Sequence, residues 1–370
     1  MRRLRVLFVS ATLGVGGAER QWAVLIPELR RRGFEPSVLT LYDPGSISQE
    51  LRRQSVTTES ARMTGRTDLH GLVHAIAHAR AGDVVVSQSF AGQVVAHAIA
   101  VRARVPHVTT EHHGPGLHRR IHERAVLRLL SPHVAAAVAV SPSQVSDLVD
   151  LGFRRERIRV IPNGIAELVA RRSPEEVRRE LGLPDDAFVA ILAATLRPEK
   201  RAHLFVEAVA RANTANGRVL GLIAGAGPEL PRIEALARAT DGAVRVLGQR
   251  SDVVDILGAA DTVCLSSDTE ALPMVVLEAM ALGKPVVATD VGGISDAVEH
   301  EETGLLVRAG DPAELASALL RLADSPRLAM RLGGRARQLR ATRFSSDRMV
   351  DDYARLLESV AVRPPSHSIA

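Results

Sequence analysis

Short β-branched runs alternate with longer amphipathic ones along almost the whole chain, and this rhythm constrains the fold more than any other feature. In the first half the candidate strands are 4–10, 35–40, 84–87, 107–110, 135–140 and 159–161, with helical patterns between them, for example 18–32, 71–80 and 143–151. A strand–helix–strand order implies a parallel sheet covered by helices on both faces. The rhythm pauses at Pro162-Asn163-Gly164, a turn signal, and a charged helix follows near 174–181. A second series then supplies strands at 188–194, 219–224, 244–247, 262–265, 285–288 and 304–307. The chain closes with helical patterns at 312–324, 326–342 and 347–360 and eight residues that read as frayed. The expectation is α/β, with two doubly wound Rossmann-like domains, 1–165 and 166–344, and a helix at 345–362 returning to the first. Their strand ends should face a shared central cleft, where such sheets bind ligands.

Composition narrows the function classes. A length of 370 residues suits two domains, and 46% apolar residues suffice for real cores. No apolar run of about 18 residues lacks a charge, so no transmembrane helix is expected, and the N-terminus reads as a first strand and not a signal peptide. The single cysteine, Cys264, excludes a disulfide framework or multi-cysteine zinc site. The net charge of +5 comes from 45 Arg and only two Lys, Lys200 and Lys284, against 42 acids. The arginine bias is global, and ten aromatics are too few for a strand-binding groove, so nucleic acid is not an expected partner. The scarce lysines raise a sharper question: does either stand where chemistry needs an ammonium?

The most informative segment runs from Asp268 to Ala288 and holds Glu270, Pro273, Glu278, Gly283, Lys284 and Pro285. Pro273 after a polar loop fits the first position of a helix. The amides of Met274, Val275 and Val276 would then lie in a first turn that lacks intrahelical acceptors, an arrangement suited to a diphosphate. Glu278 interrupts an apolar stretch, and a lone buried carboxylate is costly. Lys284 is about 240° around the helix from it, so its partner must come from elsewhere. A ribose diol fits; the plainer alternative is a backbone amide or a distant arginine.

With its Glu270–Glu278 pair, the following Glu278-Ala-Met-Ala-x-Gly-x-Pro-Val-Val-Ala run and Val291-Gly292-Gly293-Ile294, the chain resembles the retaining glycosyltransferases of family 4, also called group 1, which have the two-domain GT-B fold. The resemblance spans roughly residues 4–360. It implies that Glu278 holds the nucleotide ribose, that Glu270 contacts the donor sugar and that Val253 lies near the base. It also implies a cationic clamp on the diphosphate. Here that segment reads Ala194-Thr195-Leu196-Arg197-Pro198-Glu199-Lys200-Arg201. Lys200 falls on the family's lysine, but Thr195 replaces its arginine, which leaves Arg197 as the candidate second cation. Such a clamp offsets charge on a departing phosphate. Lys284, in a Gly-Lys-Pro turn, reads as solvated.

In the first half, Gly14-Val-Gly16-Gly17-Ala-Glu19 superficially suggests a dinucleotide loop. Glu19 occupies the place of the third glycine and would oppose a pyrophosphate. The segment instead resembles the family's Gly-Gly-Ala-Glu loop, where Gly16 and Gly17 allow close backbone approach; a purely structural turn is the alternative. His112, or else His113, ends a strand where the family places a histidine near the donor sugar, and a neutral imidazole can donate to a sugar hydroxyl. Histidine pairs four apart (His118/His122 and His70/His74/His78) have zinc-like spacing, but neighbouring arginines and the missing acidic ligand argue against metal. No Asp-x-Asp occurs, so no metal and no cofactor beyond the co-substrate are expected.

Residues 117–130 form a basic amphipathic pattern in which Leu117, Ile121, Ala125 and Leu129 recur every four residues. Two readings stay open: a core-packing stripe, or contact with anionic lipid or a lipid-linked acceptor. The resulting expectation is a retaining, metal-free transferase of glycan, polysaccharide or glycolipid synthesis. It would use a nucleotide-sugar donor and a glycan or lipid-linked acceptor, in the cytoplasm or peripherally at the inner face of the membrane. The rivals are an epimerase or hydrolase on the same fold, an NAD-dependent oxidoreductase, and a non-catalytic sugar binder.

Overall fold

The structure, a computed structural model, describes residues 3–14, 16–65, 68–112, 114 and 121–362. It divides into two compact units, 1–164 with 346–370, and 165–345.

The first unit contains a seven-stranded sheet of β1 (Arg5–Ser10), β2 (Glu35–Thr40), β3 (Thr57–Ser60), β4 (Val84–Ser87), β5 (His107–Glu111), β6 (Ala136–Ala139) and β7 (Ile158–Val160). The spatial order is β3-β2-β1-β4-β5-β6-β7, and every pairing is parallel. Sequence periodicity missed β3. Its Thr-Thr-Glu-Ser run is an edge strand with exposed and half-buried positions in alternation, so it carries no apolar signal. The central strands are buried on both faces, as a sheet sandwiched by helices requires.

Trp22 packs edge-on against Phe8, 5.1 Å between ring centroids, in a core shared with Met349, Val350, Tyr353 and Leu357. Those last residues line one face of the helix Ser346–Ala361, which is why the end of the chain belongs to this unit. The buried Tyr353 hydroxyl lies 3.0 Å from Thr110 Oγ1, and Arg32 pairs with Asp351 at 2.9 Å, so the return helix is held by packing, hydrogen bonding and charge.

The second unit repeats the design with β8 (Phe188–Ala193), β9 (Val219–Ala224), β10 (Val244–Gly248), β11 (Thr262–Leu265), β12 (Val286–Thr289) and β13 (Gly304–Val307). Its order is β10-β9-β8-β11-β12-β13, again all parallel. Relabelled from its own first strand this is 3-2-1-4-5-6, the dinucleotide-binding order. Phe205, Ile223, Cys264, Leu319 and Leu332 anchor its core. Burial leaves the Cys264 thiol with a strongly raised pKa. Helix starts are fixed locally: Ser173 forms a capping box with Glu176, and Asp311 accepts from Ala313 N and Glu314 N ahead of Pro312.

Candidate functional site

In the second unit the strand order reverses between neighbours β8 and β11. At such a switch point the two crossovers leave in opposite directions, and a crevice opens at the carboxyl ends of the strands. Lys200 and Glu270 lie in the loops that follow these two strands, and the fold brings them together. Lys200 Nζ donates to Glu270 Oε1 at 2.6 Å, and Ser267 Oγ donates to the same oxygen at 2.7 Å. Glu270 is only 7% exposed.

The loops around this pair are tied closely. Ser266 Oγ donates to the carbonyls of Lys200 and Arg201, each at 3.0 Å, and Asp268 N donates to Glu199 O at 2.9 Å. Arg201 adopts a left-handed conformation (φ 47°) between the turn Pro198–Lys200 and the helix Ala202–Asn216, and its Nε pairs with Asp268 at 2.6 Å. A β-carbon makes that conformation unfavourable, so the surrounding contacts must hold it. On the far side, Gly293 N donates to Glu270 O at 3.0 Å. A β-carbon on Gly293 would lie 1.2 Å from Ala271 O, so only glycine permits this approach.

Pro273 is the N-cap of the helix Met274–Ala281 and not its first helical residue, a one-residue correction. Val276 N donates to Pro273 O at 3.1 Å. This amide therefore leaves the expected set of anion-binding donors, because the capping proline's own carbonyl has taken it. Pro273, Met274 and Val275 are half-buried, whereas the Val276 side chain is sealed in the core. Glu278 lies one turn beyond Met274 on the same helix face. It is half-buried and not enclosed as the apolar sequence implied, since the helix turns Val276, Leu277, Ala279 and Met280 inward and this face outward.

Thr195 and Arg197 are exposed, and among the described residues neither side chain has a hydrogen-bond or ion-pair partner. Val253 is half-buried and opens the helix Val253–Ala259 after β10. The preceding Asp252 accepts from Arg250 Nε at 2.8 Å, and this guanidinium holds its carboxyl below the usual range. Lys284 corrects its sequence reading: it is half-buried, and loss of hydration lowers its ammonium pKa. It precedes β12, at the opposite edge of the sheet from Lys200 and Glu270.

In the first unit the reversal falls between β1 and β4. Gly16, with extended backbone, caps the helix Gly17–Arg31 directly after β1, and Glu19 stands in its first turn. His112 follows β5, is half-buried, and its backbone N–H donates to Glu111 Oε1 at 3.1 Å. The glycine pair and His112 thus share the carboxyl edge of one sheet. His113 lies outside the described residues.

The helix Ile121–Leu130 reverses one expectation. Ile121 is 88% and Leu129 72% exposed, Ala125 is exposed with them, and Leu127 is the residue that packs inward at 2%. Ile121, Ala125 and Leu129 of the stripe therefore face solvent, alongside the exposed Arg124 and Arg128; Leu117, His118, Arg119 and Arg120 lie outside the described residues. Among the described residues no group of three or more His, Cys, Asp or Glu is arranged to hold a metal, and no helix is long and apolar enough to cross a membrane.

Two doubly wound units, one with a salt bridge at its switch point, define an α/β protein of GT-B architecture. The family model "Glycosyl transferases group 1" matches residues 173–339, and "Glycosyltransferase Family 4" matches 15–167. The chain belongs to the group 1 glycosyltransferases. It is 31% identical over 218 residues to N-acetyl-alpha-D-glucosaminyl L-malate synthase of Bacillus anthracis, covering 58% of this chain and 57% of that protein. It is 34% identical over 250 residues to D-inositol 3-phosphate glycosyltransferase of Stackebrandtia nassauensis, covering 62% and 56%. The matches thus span little more than half the length of these relatives. Among solved structures, Anabaena Alr3699/HepE in complex with UDP and glucose superposes with a TM-score of 0.87 at 23% identity, over 96% of this chain and all of that one. That likeness establishes the fold.

Ser267 escaped the sequence reading. A serine three residues before a glutamate in a polar loop carries no periodic or charge signal, and only the tertiary contact reveals it.

Proposed function

We propose that this protein transfers a sugar from a nucleoside diphosphate sugar to an acceptor hydroxyl, with retention of anomeric configuration and without a metal. The observation that carries the reading is the Lys200–Glu270 pair at the switch point, beside the start of the helix Met274–Ala281. Lys200 and Arg197, with the amides of Met274 and Val275, would stabilise the diphosphate as the anomeric C–O bond breaks. The acceptor oxygen attacks from the same face, and its proton passes to the departing phosphate oxygen. Glu278 positions the ribose, Val253 contacts the base, and Glu270 holds the sugar hydroxyls. In the first unit, Gly16, Gly17 and His112 offer substrate-binding groups at the carboxyl edge of its own sheet. The UDP and UDP-glucose held by similar folds support a nucleotide-sugar donor.

The test is a thermal-shift screen of UDP, GDP, ADP and their hexose conjugates, followed by Lys200→Ala. A ligand that binds the native state raises the melting point, by about 2.7 kcal/mol of stability at a hundredfold excess over Kd. At least one nucleotide should do so in the wild type and fail in the variant. No shift from any of them refutes the reading. Free sugar released equally fast with and without acceptors would favour the hydrolase or epimerase alternative.

The outward stripe of the helix Ile121–Leu130 favours a second element: peripheral attachment to an anionic membrane at its cytoplasmic face, which suits a lipid-linked acceptor in glycan, polysaccharide or glycolipid synthesis. Ile121→Asp with Leu129→Asp should abolish co-sedimentation with anionic liposomes at low salt. Equal sedimentation of wild type and variant sinks this element.

A further inference from the structure

We infer that Ser267 is a positioning residue for Glu270, needed when Lys200 exchanges partners. The inference rests on the transferase reading above.

Lys200 Nζ and Ser267 Oγ donate to the same carboxylate oxygen, Oε1, at 2.6 and 2.7 Å. Among the described residues Oε2 receives no hydrogen bond. The resting site therefore spends its ammonium on Glu270. An ammonium carries three donors on a flexible four-carbon stem, so Lys200 can turn toward a diphosphate. Glu270 is then left with Ser267 as its fixed donor. A carboxylate this buried without a directing hydrogen bond can follow the departing ammonium or rotate about its own torsions.

The anchoring of Ser267 suits this role. It is 2% exposed, and its carbonyl accepts from Thr289 Oγ1 at 2.6 Å. Its neighbours on both sides bind the Lys200 loop, Ser266 through its hydroxyl and Asp268 through its backbone N–H. The Glu270 carbonyl is fixed separately by Gly293 N. The Ser267 hydroxyl thus stands on backbone tied to the loop after β8 and to the end of β12, and it does not depend on the Lys200 ammonium staying in place. It holds Oε1 inward and leaves Oε2 for a sugar hydroxyl.

The reading separates two quantities. Nucleoside diphosphate affinity reports Lys200 and the helix start; the extra affinity and turnover conferred by the sugar report Glu270. Calorimetry and kinetics on wild type, Ser267→Ala and Ser267→Thr would use UDP, GDP and ADP and their hexose conjugates as probes. In Ser267→Ala, nucleoside diphosphate affinity should stay within about twofold of wild type. The hexose-dependent gain in affinity should disappear and kcat should fall about ten- to a hundredfold, the range for a hydrogen bond to a charged group. Ser267→Thr keeps the hydroxyl and should recover most of the loss, which a role in packing alone would not predict. Retention of the hexose-dependent gain and of kcat in a folded Ser267→Ala variant overturns the assignment, as does an equal loss of nucleoside diphosphate binding. A wild type that binds none of the probes overturns the transferase reading itself and this inference with it.

Discussion

The Lys200–Glu270 salt bridge can be separated into structural and chemical parts by a double-mutant cycle. Lys200→Met removes the ammonium and leaves a 7%-exposed carboxylate with Ser267 as its remaining donor. Breaking a fully buried pair from one side costs about 3–5 kcal/mol, most of it from the uncompensated charge. Here the Lys200 side chain is 22% exposed and the serine remains, which reduces the expected loss to about 2 kcal/mol. For a unit of this size that is a fall in melting temperature of about 4–8 °C. Glu270→Gln keeps an oxygen in place but loses the charge, and should cost about 1 kcal/mol. The double variant leaves neither charge alone, so its loss should be smaller than the sum by about 1–2 kcal/mol. Urea denaturation without nucleotide measures all four proteins, and transfer assays run in parallel. The double variant should be at least as stable as Lys200→Met yet equally inactive. Stability losses that add within about 0.5 kcal/mol would show that the two side chains do not interact, and the site as drawn would be wrong.

Two further outcomes test the frame around the site. Gly293→Ala drives a β-carbon into Ala271 O and should destabilise the second unit by about 3 kcal/mol or more, whereas Gly334→Ala, at an open helical position, should stabilise it by about 0.5–1 kcal/mol; equal melting points would refute the close approach. His107 is buried with Nε2 2.7 Å from Ser87 Oγ, and burial, with a smaller contribution from His97, pushes its pKa down to about 3. Because the folded value lies below the unfolded value of about 6.5, the unfolded chain takes up the proton first as pH falls. Stability should therefore drop between those limits, by about 1.4 kcal/mol per pH unit at most. His107→Gln should flatten the urea-stability profile between pH 6 and 4, and an unchanged slope would contradict the assignment.

Local chemistry made much of this protein legible from sequence. Twelve of the strands announce themselves as short apolar runs, most clearly the central ones whose neighbours bury both faces, whereas the edge strand β3, Thr-Thr-Glu-Ser, stays silent because no side chain in it is buried. Lys200 and Glu270 were selectable one by one, since a rare lysine and a glutamate before an apolar helix each depart from their surroundings. Tertiary structure decided the rest. The contact between Lys200 and Glu270 joins loops 70 residues apart, and it exists because crossover connections put β8 beside β11. Ser267 acquires a role only once that carboxylate is fixed. Glu278, read as enclosed, is half-buried because the neighbours of its helix cover another face. The helix Ile121–Leu130 makes the same point: periodicity identifies a stripe, but packing of Leu127 determines that Ile121 and Leu129 point to water. Sequence encodes the spacing of apolar residues along an element; which spacing is buried depends on what the remainder of the chain places against it.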